Sequence, residues 1–283
     1  NLPGVRDVHV DVAPAWGGQI RGPDPWAGQR RVPGIKRIYA VASGKGGVGK
    51  TTVAVNLACA IKQLNKSVGL LDCDIYGPTV PLMMGVRQPP DVSPQSKIIP
   101  LVNFGVKLMS IGFFLEDGQP VIWRGPMLNK TIHQFLFEVE WGELDYLFVD
   151  LPPGTGDVQL SLCQAVPIDG AIIVTTPQEA SLGVVRKGIA MFAALNVPIV
   201  GLIENMSFFT APSGEKLYLF GQGGGQLEAQ KQNVPFLGQI PVLTNISQSG
   251  DRGFPVVLSE PESEAARLFL EIGEKICQHD SNT

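Results

Sequence analysis

Apolar residues fall along this chain in short continuous runs, separated by longer stretches of helical period. Runs at residues 37–42, 67–71, 146–150, 170–175, 198–203 and 236–240 have the length of strands buried on both faces. Helical patterns lie between most of them, as at 53–61 and 182–195, and another at 262–277 follows the last. Strands separated by helices predict parallel pairing through right-handed crossovers. The expected fold class is α/β: a doubly wound, mostly parallel sheet with helices on both faces. In such a sheet a ligand sits beyond the carboxyl ends of the strands. Between Met84 and Gln119, Pro- and Gly-rich segments surround short strands at 97–101 and 106–110, which predict a small hairpin insertion.

The first 34 residues read differently. Residues 2–12 alternate apolar and polar like a single strand, and 13–34 are rich in Pro, Gly, Trp and Arg, as a linker is. One strand does not fold alone. Residues 1–34 are therefore expected to be the tail of an upstream small domain plus linker, 35–278 the main domain, and 279–283 a C-terminal tail. The chain opens at Asn1 with neither an initiator Met nor a secretory signal pattern, so a fragment of a longer protein is expected.

Composition narrows the picture only a little. At 283 residues, 44% apolar and 17% charged, the chain suits one large globular α/β domain. A net charge of −4 gives no support for general nucleic-acid affinity, and no segment approaches the length and apolarity of a membrane span. Cys59, Cys73, Cys163 and Cys277 are scattered with no C-x-x-C pair, and His9, His133 and His279 fall in no metal-ligand spacing. A reducing cytoplasm is the expected compartment.

The chemistry is concentrated at strand ends. After the first run comes Ser43-Gly44-Lys45-Gly46-Gly47-Val48-Gly49-Lys50-Thr51-Thr52, which contains G-x-x-x-x-G-K-[ST] between a strand and a helix. The glycines let backbone N–H groups turn inward around a triphosphate, and the helix N-terminus adds its positive end. Lys50 would reach the β/γ-phosphates and the Thr51 hydroxyl a Mg²⁺ ion. After the second run, Asp72 and Asp74 at spacing two point to one face, which suits one carboxylate near the metal and one orienting water; a turn-forming Asx pair is the competing reading. After the third, Asp150 ends an apolar strand before Leu151-Pro152-Pro153-Gly154-Thr155-Gly156-Asp157, the place of a metal-holding acid and a phosphate-sensing loop.

With Lys45 after its first glycine, the loop resembles the deviant form found in MinD, ParA, the arsenite-pump ATPase and the nitrogenase iron protein. The resemblance implies that Lys45 reaches the nucleotide of a partner subunit, that Asp74 orients the water and Asp72 lies near the metal. It also implies that the Gly154 N–H senses the γ-phosphate. Asn205 would pair with adenine, supported by Pro241 and Val242 in the base loop, although an Asn at such a turn also serves as a helix cap. Nothing forms a Ser-His-Asp or Cys-His constellation.

Other stretches narrow the resemblance. Asp72-Cys73-Asp74-Ile75-Tyr76-Gly77-Pro78, Val121-Ile122-Trp123-Arg124-Gly125-Pro126-Met127, Thr175-Thr176-Pro177-Gln178, Glu204-Asn205-Met206-Ser207 and Phe220-Gly221-Gln222-Gly223-Gly224-Gly225 look like the Mrp/ApbC family. That family implies an ATP- and Mg-dependent homodimer that carries iron–sulfur clusters to apoproteins or works with assembly proteins. Neither nucleic acid nor membrane is an expected partner. Cluster-carrying members present C-P-x-C after the E-N-M-S motif, and two subunits share one [4Fe–4S]. Here Ala211 stands at the first cysteine and the stretch around the second is shortened to Ser213 and Gly214. Neither residue replaces a thiolate. The alternative is a nucleotide-dependent positioning switch of the MinD/ParA kind; the acidic 259–275 segment argues against its membrane-reading version.

Overall fold

The structure, a computed structural model, describes residues 28–115 and 125–281. The expected strand at 2–12, most of the expected linker, the start of the 121–127 motif and residues 282–283 lie outside them. The strands are β1 (Ile35–Ser43), β2 (Val68–Asp72), β3 (Leu101–Asn103), β4 (Val106–Ser110), β5 (Leu144–Asp150), β6 (Gly170–Thr175), β7 (Ile199–Asn205), β8 (Phe209–Thr210), β9 (Lys216–Leu217) and β10 (Phe236–Ile240). The helices are α1 (Lys50–Gln63), α2 (Val80–Met83), α3 (Gly125–Phe137), α4 (Asp157–Ala165), α5 (Glu179–Ala194), α6 (Gly224–Lys231), α7 (Thr244–Asp251), α8 (Val256–Ser259) and α9 (Glu264–Ser281). The last helix runs past residue 279, where a tail was expected to begin.

One eight-stranded sheet has the order β10-β7-β6-β1-β5-β2-β4-β3, and only β3 is antiparallel to its neighbour. The chain runs outward through β2 and β4, returns to β5 beside β1, and then runs to the other edge. That reversal brings the carboxyl ends of β1, β2 and β5 together, as doubly wound sheets do at their ligand crevice. The expected hairpin is present as β3 and β4, which pair antiparallel, and it extends the edge of the main sheet. β4 pairs with β2 as a main-sheet strand, and β3 starts at Leu101 rather than Lys97. Pro100 offers no N–H to a ladder, which explains the later start. A second small hairpin, apart from the main sheet, is formed by β8 and β9.

Alternate residues of β1 feed opposite core layers, which is why its sequence is apolar throughout. Ile38, Ala40 and Ala42 join Leu136 of α3, Leu162 of α4 and Phe192 of α5. Tyr39 and Val41 join Leu57 and Ile61 of α1 and Phe269 and Ile272 of α9. Each large apolar side chain so buried contributes about 1.5–3 kcal/mol on leaving water. In α9, Ala265, Phe269, Ile272 and Ile276 lie on one stripe, and that stripe is buried. No described helix is long and apolar enough to cross a membrane.

At the opposite end of the sheet, Asp145 clamps three strands. Its carboxylate accepts from Ser67 N at 2.8 Å, Ser67 Oγ at 2.9 Å and Lys36 Nζ at 2.8 Å. The Lys36 hydrogen bond, then the Ser67 N–H, hold its pKa down at about 2. A carboxyl depressed on folding stabilises above its unfolded pKa and loses that contribution as pH falls toward the folded one. Asp145→Ala should therefore cost about 2 kcal/mol at pH 7. The deficit should shrink progressively below pH ~4. Denaturant titrations at both pH values check it; a pH-independent deficit would contradict this role.

Candidate nucleotide-binding site

The loop from Gly44 to Gly49 turns between the carboxyl end of β1 and the start of α1. Gly49 caps α1 at φ +79°, and a Cβ there would collide with the Asn205 amide, so two separate constraints require glycine. A cavity of about 330 Å³ lies over the loop, lined by Gly46, Gly47, Val48, Lys50, Thr51 and Asp74, with Lys45 at its rim.

Beside it lies a cluster of one ammonium and three carboxylates, of which Lys50 and Asp74 line the cavity. Lys50 Nζ donates to Asp150 Oδ1 at 2.6 Å and lies 3.6 Å from Asp74 Oδ2. Thr51 Oγ1 donates to the other Asp150 oxygen at 2.6 Å. The sheet register sets Asp72 directly beside Asp150. Burial pushes the Asp72 carboxyl up, and the Asp150 charge adds to this. Burial raises Asp150 too, against the opposing pull of Lys50. The cluster is short of positive charge, and its donors are a hydroxyl and carboxylate oxygens. That set fits a hard divalent cation such as Mg²⁺.

The three aspartates do different things. Asp72 is fully buried and accepts from Ser110 Oγ at 2.9 Å, Asp74 N at 3.0 Å and Val80 N at 3.3 Å. Both oxygens organise the 72–80 loop. Asp74 Oδ1 accepts from Tyr76 N at 3.2 Å while its other oxygen approaches Lys50. The turn-forming and cavity-facing readings of Asp74 thus hold together.

Lys45 has an acceptor in the same chain. Its Nζ donates to Gln178 Oε1 at 3.1 Å, an oxygen that also accepts from Thr176 Oγ1 at 2.8 Å. Gly154, at φ +93°, donates its N–H to Ser43 O at 2.9 Å. Gln159, missed in the sequence, holds this loop from below. Its amide donates to Pro152 O at 2.9 Å and Gly154 O at 3.0 Å, and accepts from Gly156 N at 3.0 Å. Its place three residues into the turn of α4 is a helix-start signal that could have found it.

A second cavity of about 400 Å³ shares Gly49, Thr52, Met83 and Asp251 with the first. Asn205, Pro241 and Val242 all line it, so the residues expected around the base lie together. Asn205 Nδ2 donates to Val48 O at 2.8 Å, tying this side to the glycine loop. The β8–β9 turn closes with Ala211 N to Glu215 O at 2.9 Å and Gly214 N to Ala211 O at 2.8 Å. The cysteines lie elsewhere: Cys59, Cys73 and Cys163 are buried, and Cys277 is half-buried. Burial holds the Cys59 and Cys163 thiols at about 12, so neither offers a thiolate near neutral pH.

A glycine loop between a strand and a helix, with an acid at the end of the adjacent parallel strand, defines a P-loop nucleotide-binding protein. The sequence profile of the ParA family of NUBPL iron-transfer P-loop NTPases matches residues 34–277, and the chain belongs to that family. It is 48% identical over 281 residues to an iron–sulfur cluster carrier protein of Synechocystis, covering 97% of this chain and 78% of the relative. It is 47% identical over 251 residues to the iron–sulfur cluster transfer protein NUBPL of Mus musculus, covering 88% and 79%. Among solved structures, a nucleotide-binding protein in complex with ADP from Archaeoglobus fulgidus matches with a TM-score of 0.73 and 38% identity, covering 84% of this chain and 94% of that one. The Pyrococcus furiosus cell division ATPase MinD, at 22% identity and a TM-score of 0.65, shares the fold.

Proposed function

We propose that the chain binds and hydrolyses Mg-ATP as a homodimer and serves iron–sulfur cluster delivery without holding a [4Fe–4S] cluster on its β8–β9 hairpin. The observation that carries the nucleotide chemistry is Lys50 between Asp150 and Asp74 beneath the glycine loop. In the free chain Lys50 neutralises those acids; with ATP bound it turns to the β/γ-phosphates. Backbone N–H groups from Gly44 to Thr52 cradle the phosphates. Thr51 and Asp150 hold the Mg²⁺, with Asp72 bracing the loop behind them. The ion supplies neutralising charge at the phosphates. Asp74 orients the attacking water, and the Gly154 N–H exchanges Ser43 O for the γ-phosphate. Asn205, Pro241 and Val242 receive the adenine.

Lys45 is the link to the partner. Released from Gln178, it contacts the nucleotide of the second subunit. Lys45→Ala should keep ADP binding and lose both ATP-stabilised pairing and hydrolysis, read by light scattering with a slowly hydrolysed analogue. A variant with an equally stable ATP-bound dimer and normal turnover would assign Lys45 to the surface. The family membership supports clients among iron–sulfur apoproteins or assembly proteins; a cytoplasmic setting rests on the scattered, unpaired cysteines. The thiol-free hairpin favours one second reading, a MinD/ParA-like switch that carries no cluster at all.

A further inference from the structure

The base-side cavity and the β8–β9 hairpin are joined through two pieces of chain. At the hairpin's root, Ser207 N and Ser207 Oγ each donate to Ile240 O at 3.0 Å, and Val242 N donates to Phe208 O at 2.7 Å. The Pro241-Val242 wall of the cavity is therefore hydrogen-bonded directly to the strand that opens the hairpin. At its far end, the chain leaves β9 through Tyr218 and Leu219 and doubles back at Gly221, whose φ of +99° favours glycine. Leu217, Tyr218 and Leu219 are exposed, while Phe220 is half-buried where it lines the cavity.

The cavity's other apolar walls are Met83, Met206, Leu243 and Ile246, with Thr52, Asn205, Ser247 and Asp251 as polar groups. Apolar walls with a few placed polar groups suit a flat heterocycle. Phe220 is the one aromatic side chain among the described residues that line it. An aromatic face stacks on any base, and a purine offers the larger surface.

We infer that Phe220 packs on the nucleobase and thereby makes the hairpin respond to nucleotide. The inference rests on the nucleotide-binding reading above. With a purine in the cavity, Phe220 fixes the 218–223 return, and the Val242–Phe208 bond holds the other end. The exposed Leu217-Tyr218-Leu219 surface then takes one position when nucleotide is bound and is looser without it.

Calorimetry with ADP and with inorganic tripolyphosphate, which fills the glycine loop and has no base, tests the first half. The full chain should bind both. Phe220→Ala should weaken ADP about tenfold or more and leave tripolyphosphate unchanged, whereas Phe220→Trp should retain ADP binding. Amide exchange tests the second half: ADP should slow exchange over residues 208–219 in the unsubstituted chain and not in Phe220→Ala. Equal loss of both ligands in Phe220→Ala, repeated in the milder Phe220→Leu, would make Phe220 structural and overturn the inference. Equal hairpin protection by ADP in Phe220→Ala would overturn the coupling. If the unsubstituted chain bound neither ligand, the nucleotide reading itself would fail, a result distinct from both.

Discussion

Lys50→Ala is expected to reduce ATP turnover on the order of 10²–10³-fold and to weaken nucleotide binding. Lys50 is buried at the foot of the glycine loop, where its Nζ sits 2.6 Å from Asp150. The same substitution removes the ammonium that pairs with Asp150 and Asp74. Breaking a buried pair of this kind costs about 3–5 kcal/mol. Asp150 then has a carboxyl raised by burial, with the Thr51 hydrogen bond left to oppose it. A raised carboxyl stabilises the fold less as pH rises, so the variant's deficit should be larger at pH 8 than at pH 6. A double variant, Lys50→Ala with Asp150→Asn, separates the two effects. Its melting temperature should recover much of the loss, and its turnover none. A single variant with normal turnover would remove the phosphate role from Lys50.

Asp74→Asn should leave ADP and ATP binding nearly intact and lower the hydrolysis rate on the order of 10²-fold or more. The glycine loop, Thr51 and Asp150 are untouched by the change, and Lys50 keeps its 2.6 Å hydrogen bond to Asp150. Asn keeps the oxygen that accepts from Tyr76 N at 3.2 Å, so the turn should hold. What is lost is the carboxylate facing the cavity. Single-turnover phosphate release beside equilibrium binding distinguishes this from a folding defect. Wild-type release in the variant would leave Asp74 as a turn residue only.

Much of this was legible in the chain because it is local. Central parallel strands such as β2 and β6 are buried on both faces, so they show as apolar runs, and Gly44 to Thr51 declares its own turn. The edge of the sheet was harder. Strands β3 and β4 are short, lie beside Pro- and Gly-rich segments, and look the same whether they form an insertion or extend the main sheet. Lys45 was visible, whereas Gln178 as its acceptor depends on β6 and α5 folding back over the glycine loop. Asp72 and Asp74 look equivalent at spacing two. Only the neighbouring β4 and α2 reveal that Asp72 is taken up by Ser110 and Val80. Phe220 was quoted within a motif, and nothing in that motif says it faces the base pocket rather than solvent.

The central claim is a dimeric ATPase of the iron-transfer family whose hairpin carries no cluster. Iron counting on the dimer, after anaerobic reconstitution with iron and sulfide, tests it most directly. The hairpin contributes no thiolate from either subunit, so the expected result is no stoichiometric iron held there. About four iron per dimer, lost on substituting any residue from Thr210 to Gly214, would contradict the account.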